Sequence, residues 1–177
     1  MRVSLIALFL ASLLSAAAPH TDDSVAWGEV SSGLRLGIGL GPASPEPQLR
    51  LVFENMAKFE IPVLLGAMTG KGAVYNLTFR VKSPGGQESD LFNFNGPPGI
   101  AGSAEPIIAH IARGQRYEIL LALKKFVALE NGKNRTLPEL LAAHYSVRAM
   151  LDTSGDPRQV RPLALWMGEV ASGDFKK

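Results

Sequence analysis

The feature that most limits what this chain can fold into is a short-range alternation of apolar and polar side chains, repeated many times. From Val74 to Lys82, Leu77, Phe79 and Val81 fall on one face and Thr78, Arg80 and Lys82 on the other. Pro84-Gly85-Gly86 then closes the run with a turn. Leu49, Leu51 and Phe53 alternate with Gln48, Arg50 and Val52 and stop at Asn55. Tyr117, Ile119, Leu121 and Leu123 form a third face, entered through Gly114-Gln115. Tyr145, Val147, Ala149 and Leu151 form a fourth, opposite His144, Ser146, Arg148 and Met150. Shorter runs cover Leu34 to Leu40, Ile61 to Leu65, Ser89 to Phe94, Ile107 to Ile111, Phe126 to Leu129 and Leu163 to Val170. A period of two places every second residue on the same side of a pleated strand, whereas a helix needs apolar residues three and four apart. Turn residues recur every 8–12 positions or so, the spacing of a sandwich or barrel. The expectation is an all-β, antiparallel β-sandwich.

One helical signal interrupts the pattern. Thr136 can cap a helix, Pro138 suits its first turn, and Glu139 stands three residues after the cap, where a capping box places it. Leu140 to Ala143 would complete about two turns before the strand at Tyr145. This predicts one short connecting helix. The Pro42-Ala43-Ser44-Pro45-Glu46-Pro47 stretch reads as an extended loop between strands, because too little chain precedes it for a separate core.

The first residues follow a different logic. Met1-Arg2 is a positive start, Val3 to Leu14 is almost wholly apolar, and Ser15-Ala16-Ala17-Ala18 supplies small residues for a peptidase. Such a run is too short for a bilayer core of roughly 30 Å. Residues 1–17 are expected to be a secretory signal peptide, cut after Ala17, and 18–177 a single β-sandwich domain. Loss of Arg2 brings the formal charge of +2 nearer to neutral. A nucleic-acid binder would show a concentrated basic face, and this chain has none. With no cysteine, the chain has no disulfide, no thiolate metal site and no thiol nucleophile. An exported β-rich chain without bridges fits a bacterial envelope, so the expected location is periplasmic or extracellular.

Several local motifs imitate known sites and lack a part each. Gly37-Ile38-Gly39-Leu40-Gly41 has the glycines of a dinucleotide loop, but Pro42, Pro45 and Pro47 replace the helix whose N-terminus would hold a pyrophosphate. It reads as a glycine-rich strand end. Gly66-Ala67-Met68-Thr69-Gly70-Lys71-Gly72 is one residue short of a phosphate loop, and Gly72 stands where a hydroxyl is needed, so a β-turn is expected. Asp152-Thr153-Ser154-Gly155-Asp156 starts like a calcium loop without its closing acid, and reads as a polar hairpin. His110 and His144 are expected at solvated strand positions. No elbow of the type Gly-x-Ser-x-Gly accompanies them. No catalytic, cofactor or metal residue is therefore assigned.

Two segments resemble each other: Trp27-Gly28-Glu29-Val30-Ser31-Ser32-Gly33 and Trp166-Met167-Gly168-Glu169-Val170-Ala171-Ser172-Gly173. They are too short to be a structural repeat. One reading is a pair of terminal strands whose tryptophans close the same core; chance similarity is the other.

The segment with the clearest binding character is Leu91 to Gly102, a long Gly/Pro-rich stretch beside apolar side chains. Long loops on rigid β-scaffolds often carry contacts. Phe92, Asn93, Phe94, Asn95, Pro97, Pro98 and Ile100 form the candidate partner-binding loop.

The spacing as a whole resembles a group of secreted bacterial proteins with an immunoglobulin-like β-sandwich. The likeness lies in Trp27-Gly28, Gly33-Leu34-Arg35-Leu36-Gly37, Phe53-Glu54-Asn55, Val63-Leu64-Leu65-Gly66, Gly114-Gln115-Arg116-Tyr117 and Tyr145-Ser146-Val147. Tyr145, following a short connector, resembles the tyrosine corner of such sandwiches, whose hydroxyl bonds upstream backbone; His144 replaces the usual glycine before it. The resemblance implies a fold and no activity. A second likeness, to small bacterial β-sandwich proteinase inhibitors, implies that the Asn93 to Gly102 loop enters a protease cleft. The expected role is non-catalytic, through contact with another envelope or extracellular protein. The alternatives are a hydrolase using carboxylates or histidines, and a carbohydrate-binding module using exposed tryptophan.

Overall fold

A computed structural model describes residues 24–70, 72–93, 105–130, 132–154 and 165–177. The signal-peptide segment 1–17 lies outside them. In chain order the strands are β1 (Val25–Trp27), β2 (Leu34–Leu40), β3 (Gln48–Asn55), β4 (Ile61–Thr69), β5 (Gly72–Tyr75), β6 (Leu77–Lys82) and β7 (Glu88–Asn93). They continue with β8 (Glu105–Ile111), β9 (Arg116–Ala122), β10 (Phe126–Glu130), β11 (Lys133–Thr136), β12 (Ser146–Asp152) and β13 (Glu169–Ala171). One helix, α1 (Leu137–Ala142), separates β11 from β12. The protein is thus mostly β, as the alternation implies.

These thirteen strands form three antiparallel sheets, in the orders β1-β2-β3-β9, β11-β10-β7-β6-β12-β13 and β5-β4-β8. A single buried cluster draws on all three. Leu34, Leu36 and Ile38 enter it from β2, Leu49, Leu51 and Phe53 from β3, and Ile61, Val63 and Leu65 from β4. The six-stranded sheet adds Phe79, Val81, Leu91, Phe126, Val147, Ala149 and Leu151. Every second residue of these strands faces inward, so the sequence period becomes the core directly. The helix forms where its caps are written: Pro138 stands in the first turn, and the Thr136 N–H donates to the Glu139 carboxylate at 2.8 Å. Leu137, Leu140 and Leu141 carry its apolar stripe into the same core.

Several elements differ from the expectation. Val74 to Lys82 is not one strand: the chain breaks at Asn76, whose N–H donates to the Leu65 carbonyl, and β5 and β6 join different sheets. Alternation continues through the break because a sharp bend does not have to disturb which residues are apolar. Lys133–Thr136 pairs with β10 as a strand although its side chains are all polar or charged. β4 runs on to Thr69, four residues past the apolar run, to pair with β5. The Leu163 to Val170 run lies partly outside the described residues, and only Glu169–Ala171 of its neighbourhood is strand. His144 is in the turn after α1 rather than a strand, with φ of 61°. It occupies the left-handed position that commonly ends a helix and favours glycine.

One buried polar side chain ties the turn between β3 and β4 to the end of β8. Asn55 is fully buried and donates to the Phe59 and Ile111 carbonyls, at 2.7 Å each, while accepting the Ala57 N–H at 2.8 Å. A buried amide satisfied in this way is inexpensive to keep and costly to unpair.

Candidate functional site

Three surface features could do chemistry or make contacts, and each follows from strand register. The first is the outer face of the four-stranded sheet. Arg35, Glu54 and Arg116 stand directly opposite one another on β2, β3 and β9, so they share a face. Glu54 accepts from Arg35 Nε at 3.1 Å and from Arg116 Nε at 3.1 Å. Burial raises the pKa of the Glu54 carboxyl, but the hydrogen bonds from Arg35 and Arg116 outweigh it, and the net shift is downward. In the next row Trp27 lies opposite Gly37, and Gly37 opposite Val52. A Cβ on Gly37 would come within 2.7 Å of the indole, so only glycine lets the ring lie down on the sheet. The Arg35 and Arg116 guanidinium carbons sit 4.3 and 5.1 Å from the ring centroid. Val52, on the same face, is fully buried even though alternation assigns it to the polar side. The Gly37-Ile38-Gly39 repeat therefore has a packing role within β2. Glycines lie under Trp27 and against the Ser24 carbonyl, with Ile38 in the core.

The second feature is the outward face of β7 and β10. Phe92 stands directly opposite Val127, and Leu129 follows two residues along on the same side. Phe92 is 57% and Leu129 59% exposed. Asp90, on the same face of β7, pairs with Arg80 at 3.4 Å, and Asn134 lies opposite Leu129. The result is an apolar stripe with a polar rim.

The third surrounds Tyr145. Its hydroxyl donates to the Glu130 carboxylate, which also accepts from Arg135 at 2.7 Å. The Tyr145 and Arg135 bonds hold the Glu130 carboxyl below its ordinary value, and the Glu130 bond raises the Tyr145 hydroxyl. This corrects the tyrosine-corner expectation: the hydroxyl bonds an upstream side chain, not upstream backbone. Arg135, 5.6 Å from the Tyr145 ring, supplies the countercharge that makes a carboxylate the better acceptor.

The candidate loop is only partly within the described residues. Phe92 is exposed, and the Asn93 backbone pairs with Phe126 at the end of β7. Phe94, Asn95, Pro97, Pro98 and Ile100 lie outside, as does the rest of the proposed inhibitory segment. Sequence reasoning found Phe92 but missed Val127 and Leu129, because strand partners cannot be read from one strand alone. It also missed the Arg35–Glu54–Arg116 row. The available signal was three charged residues on the polar sides of strands that prove to be neighbours.

Other motifs also find places. Thr69 and Gly72 pair across the turn between β4 and β5. Asp152 accepts from the Ser154 N–H at 2.8 Å and hydroxyl at 2.6 Å, a local turn that lowers its pKa. His110 pairs with Glu60 at 2.9 Å, and both are more than half exposed. Among the described residues no group of three or more histidines and carboxylates is placed to hold a metal.

Together these elements define a mostly β protein of three antiparallel sheets, with its apolar and charged outer faces set apart. No known protein family, curated protein or solved structure matches the chain.

Proposed function

We propose that the chain is an exported bacterial protein with an immunoglobulin-like sandwich fold, acting without catalysis through contact with another envelope or extracellular protein. The observation that carries this reading is the Phe92–Val127–Leu129 stripe. An apolar centre with a polar rim is the anatomy of a protein contact. Covering side chains of this size yields roughly 1.5–3 kcal/mol each, which water cannot supply. The charged-then-apolar start of the chain and its lack of cysteine support export to a bacterial envelope. Among the described residues no helix is long and apolar enough to cross a membrane.

The test is site-specific crosslinking in envelope extract. A photoreactive residue at position 129 is expected to yield a discrete adduct with one protein, and the same probe at Gln87 none. F92S/L129S is expected to reduce the adduct formed from a probe at Val127 at least tenfold. Equal adducts from positions 129 and 87 would remove the basis for this face as a contact.

A further inference from the structure

Each open sheet ends in two edge strands, and an uncovered edge is a row of unpaired backbone groups that invites another strand. Among the described residues most edges are guarded. β1 and β13 close on each other: the Gly173 N–H donates to the Ala26 carbonyl at 3.1 Å, and Gly28 packs on the Ala171 oxygen. β5 and β11 have four residues each, and β11 carries Lys133 and Arg135. β8 starts with Glu105-Pro106, faces a bulge in β4 between Leu64 and Gly66, and has its last carbonyl bonded by Asn55.

The edge at β9 has none of these devices. It has seven residues without proline or glycine, ends the four-stranded sheet, and pairs with β3 unbroken from Arg116 to Ala122. The Asn55 N–H donates to the Gln115 carbonyl and the Leu123 N–H to the Pro47 carbonyl, both at 3.1 Å. Odd-numbered residues of β9 therefore turn their backbone groups toward β3. Glu118, Leu120 and Ala122 turn theirs away, on a side where no described strand lies. Leu120 is 43% and Tyr117 37% exposed along this edge.

Charge does not guard the edge either. Arg50 holds the Glu118 carboxylate through two nitrogens, at 3.1 and 2.5 Å. Arg116 bonds Glu54 at 3.1 Å, and Lys124 bonds Glu46 at 2.6 Å. Each charged side chain along β9 thus has its countercharge within the chain. A strongly charged peptide would meet no unbalanced countercharge here, whereas an identical copy brings the same neutral pairs and the same apolar side chains.

We propose that β9 pairs antiparallel with β9 of a second copy of this chain, joining two four-stranded sheets edge to edge about a twofold axis. The register that overlaps the whole strand sets Glu118 opposite Leu120 of the second copy, Tyr117 opposite Leu121, and Ile119 opposite itself. It places no like charges directly opposite one another. Main-chain bonds between Glu118 and Leu120 run both ways across the axis, and Tyr117, Ile119 and Leu121 carry each core across the seam. β9 and the Phe92 stripe belong to different sheets, so the two contacts are separable.

The experiment is sedimentation-velocity centrifugation of the full mature chain from about 1 to 100 μM, with amide hydrogen exchange followed at both limits. The expected result is a monomer–dimer equilibrium in that range, with exchange at Glu118 and Leu120 slowed at least about tenfold at the higher concentration. Leu120→Pro removes an N–H that the single chain leaves to solvent, and Leu120→Glu sets a carboxylate opposite Glu118 of the other copy. Each is expected to weaken the dimer at least about tenfold while circular dichroism shows a folded monomer, and F92S/L129S to leave it unchanged. A monomer at every concentration would overturn the proposal. So would a dimer that survives both Leu120 variants, or one that leaves exchange at Glu118 and Leu120 unaltered.

Discussion

Gly28 to Gly33 and Gly168 to Gly173 differ at one residue, Ser31 against Ala171, and each has a tryptophan just before it, yet the molecule uses them in opposite ways. Trp27 lies on the outer face of a sheet, half-buried over Gly37 and beneath two arginines. Trp166 is buried in the shared core, with its indole N–H directed at the Ser32 carbonyl at 3.3 Å. The idea that both tryptophans close one core is therefore right for Trp166 and wrong for Trp27. Trp27 stands in β1, opposite Gly37, whereas Trp166 precedes β13 and is separated from its glycine by one extra residue, Met167. The serines diverge as well. Ser32 is a turn residue with φ of 46°, whereas its counterpart Ser172 is buried and bonds both the Ala149 N–H and the Gly173 carbonyl at 2.9 Å. Matching residues acquire different roles because one segment makes a hairpin and the other fastens a sheet edge.

The largest expected effect tests the tryptophans. Trp166→Ala is expected to cost about 3–5 kcal/mol of stability through the cavity it leaves. Trp27→Ala is expected to cost about 1–2 kcal/mol, from partial burial and two partly buried cation–π contacts. Urea unfolding of the two variants measures both, and equal losses would erase the distinction between inner and outer tryptophan.

Next comes the carboxylate beside Trp27. The folded-state pKa of Glu54 lies below its ordinary value of 4.5. Its contribution is thus fully present above about pH 4.5 and is lost as pH falls through the folded value. Glu54→Gln is expected to lower stability at neutral pH by about 2 kcal/mol and to flatten the acid limb of a stability–pH curve. An unchanged acid limb would show that the Arg35–Glu54–Arg116 row is not what sets it.

The smallest effects separate the serines. Ser172→Ala is expected to cost about 1 kcal/mol by unpairing the Ala149 N–H. Ser32→Asn is expected to add about 0.5 kcal/mol, because Ser32 and Gly33 both have positive φ, the geometry in which Asn-Gly is preferred. Thermal unfolding of the two variants should therefore move in opposite directions.

Reading from the sequence succeeded where the signal was local. Leu34 to Leu40 is a strand because its alternation extends over its whole length, and α1 begins just after Thr136 because the cap and its partner Glu139 are three residues apart. It failed where the deciding neighbour was distant. Nothing within Leu77 to Lys82 reveals that the chain just before it has left for another sheet. Nothing near Val52 announces that Trp27, from another strand, will lie across its face. Phe92 was found for its own chemistry, while Leu129, equally exposed, was missed because only pairing brings the two together.

The sequence by itself determined that this chain makes strands, where most of them start, and that one short helix interrupts them, because backbone period and caps act over a few residues. Only the tertiary structure decided which strands became neighbours, which tryptophan went inside, and that the two similar segments would meet backbone to backbone at Gly28 and Gly173. Alternation assigns side chains to two faces but names neither the face that will be covered nor the strand that will cover it.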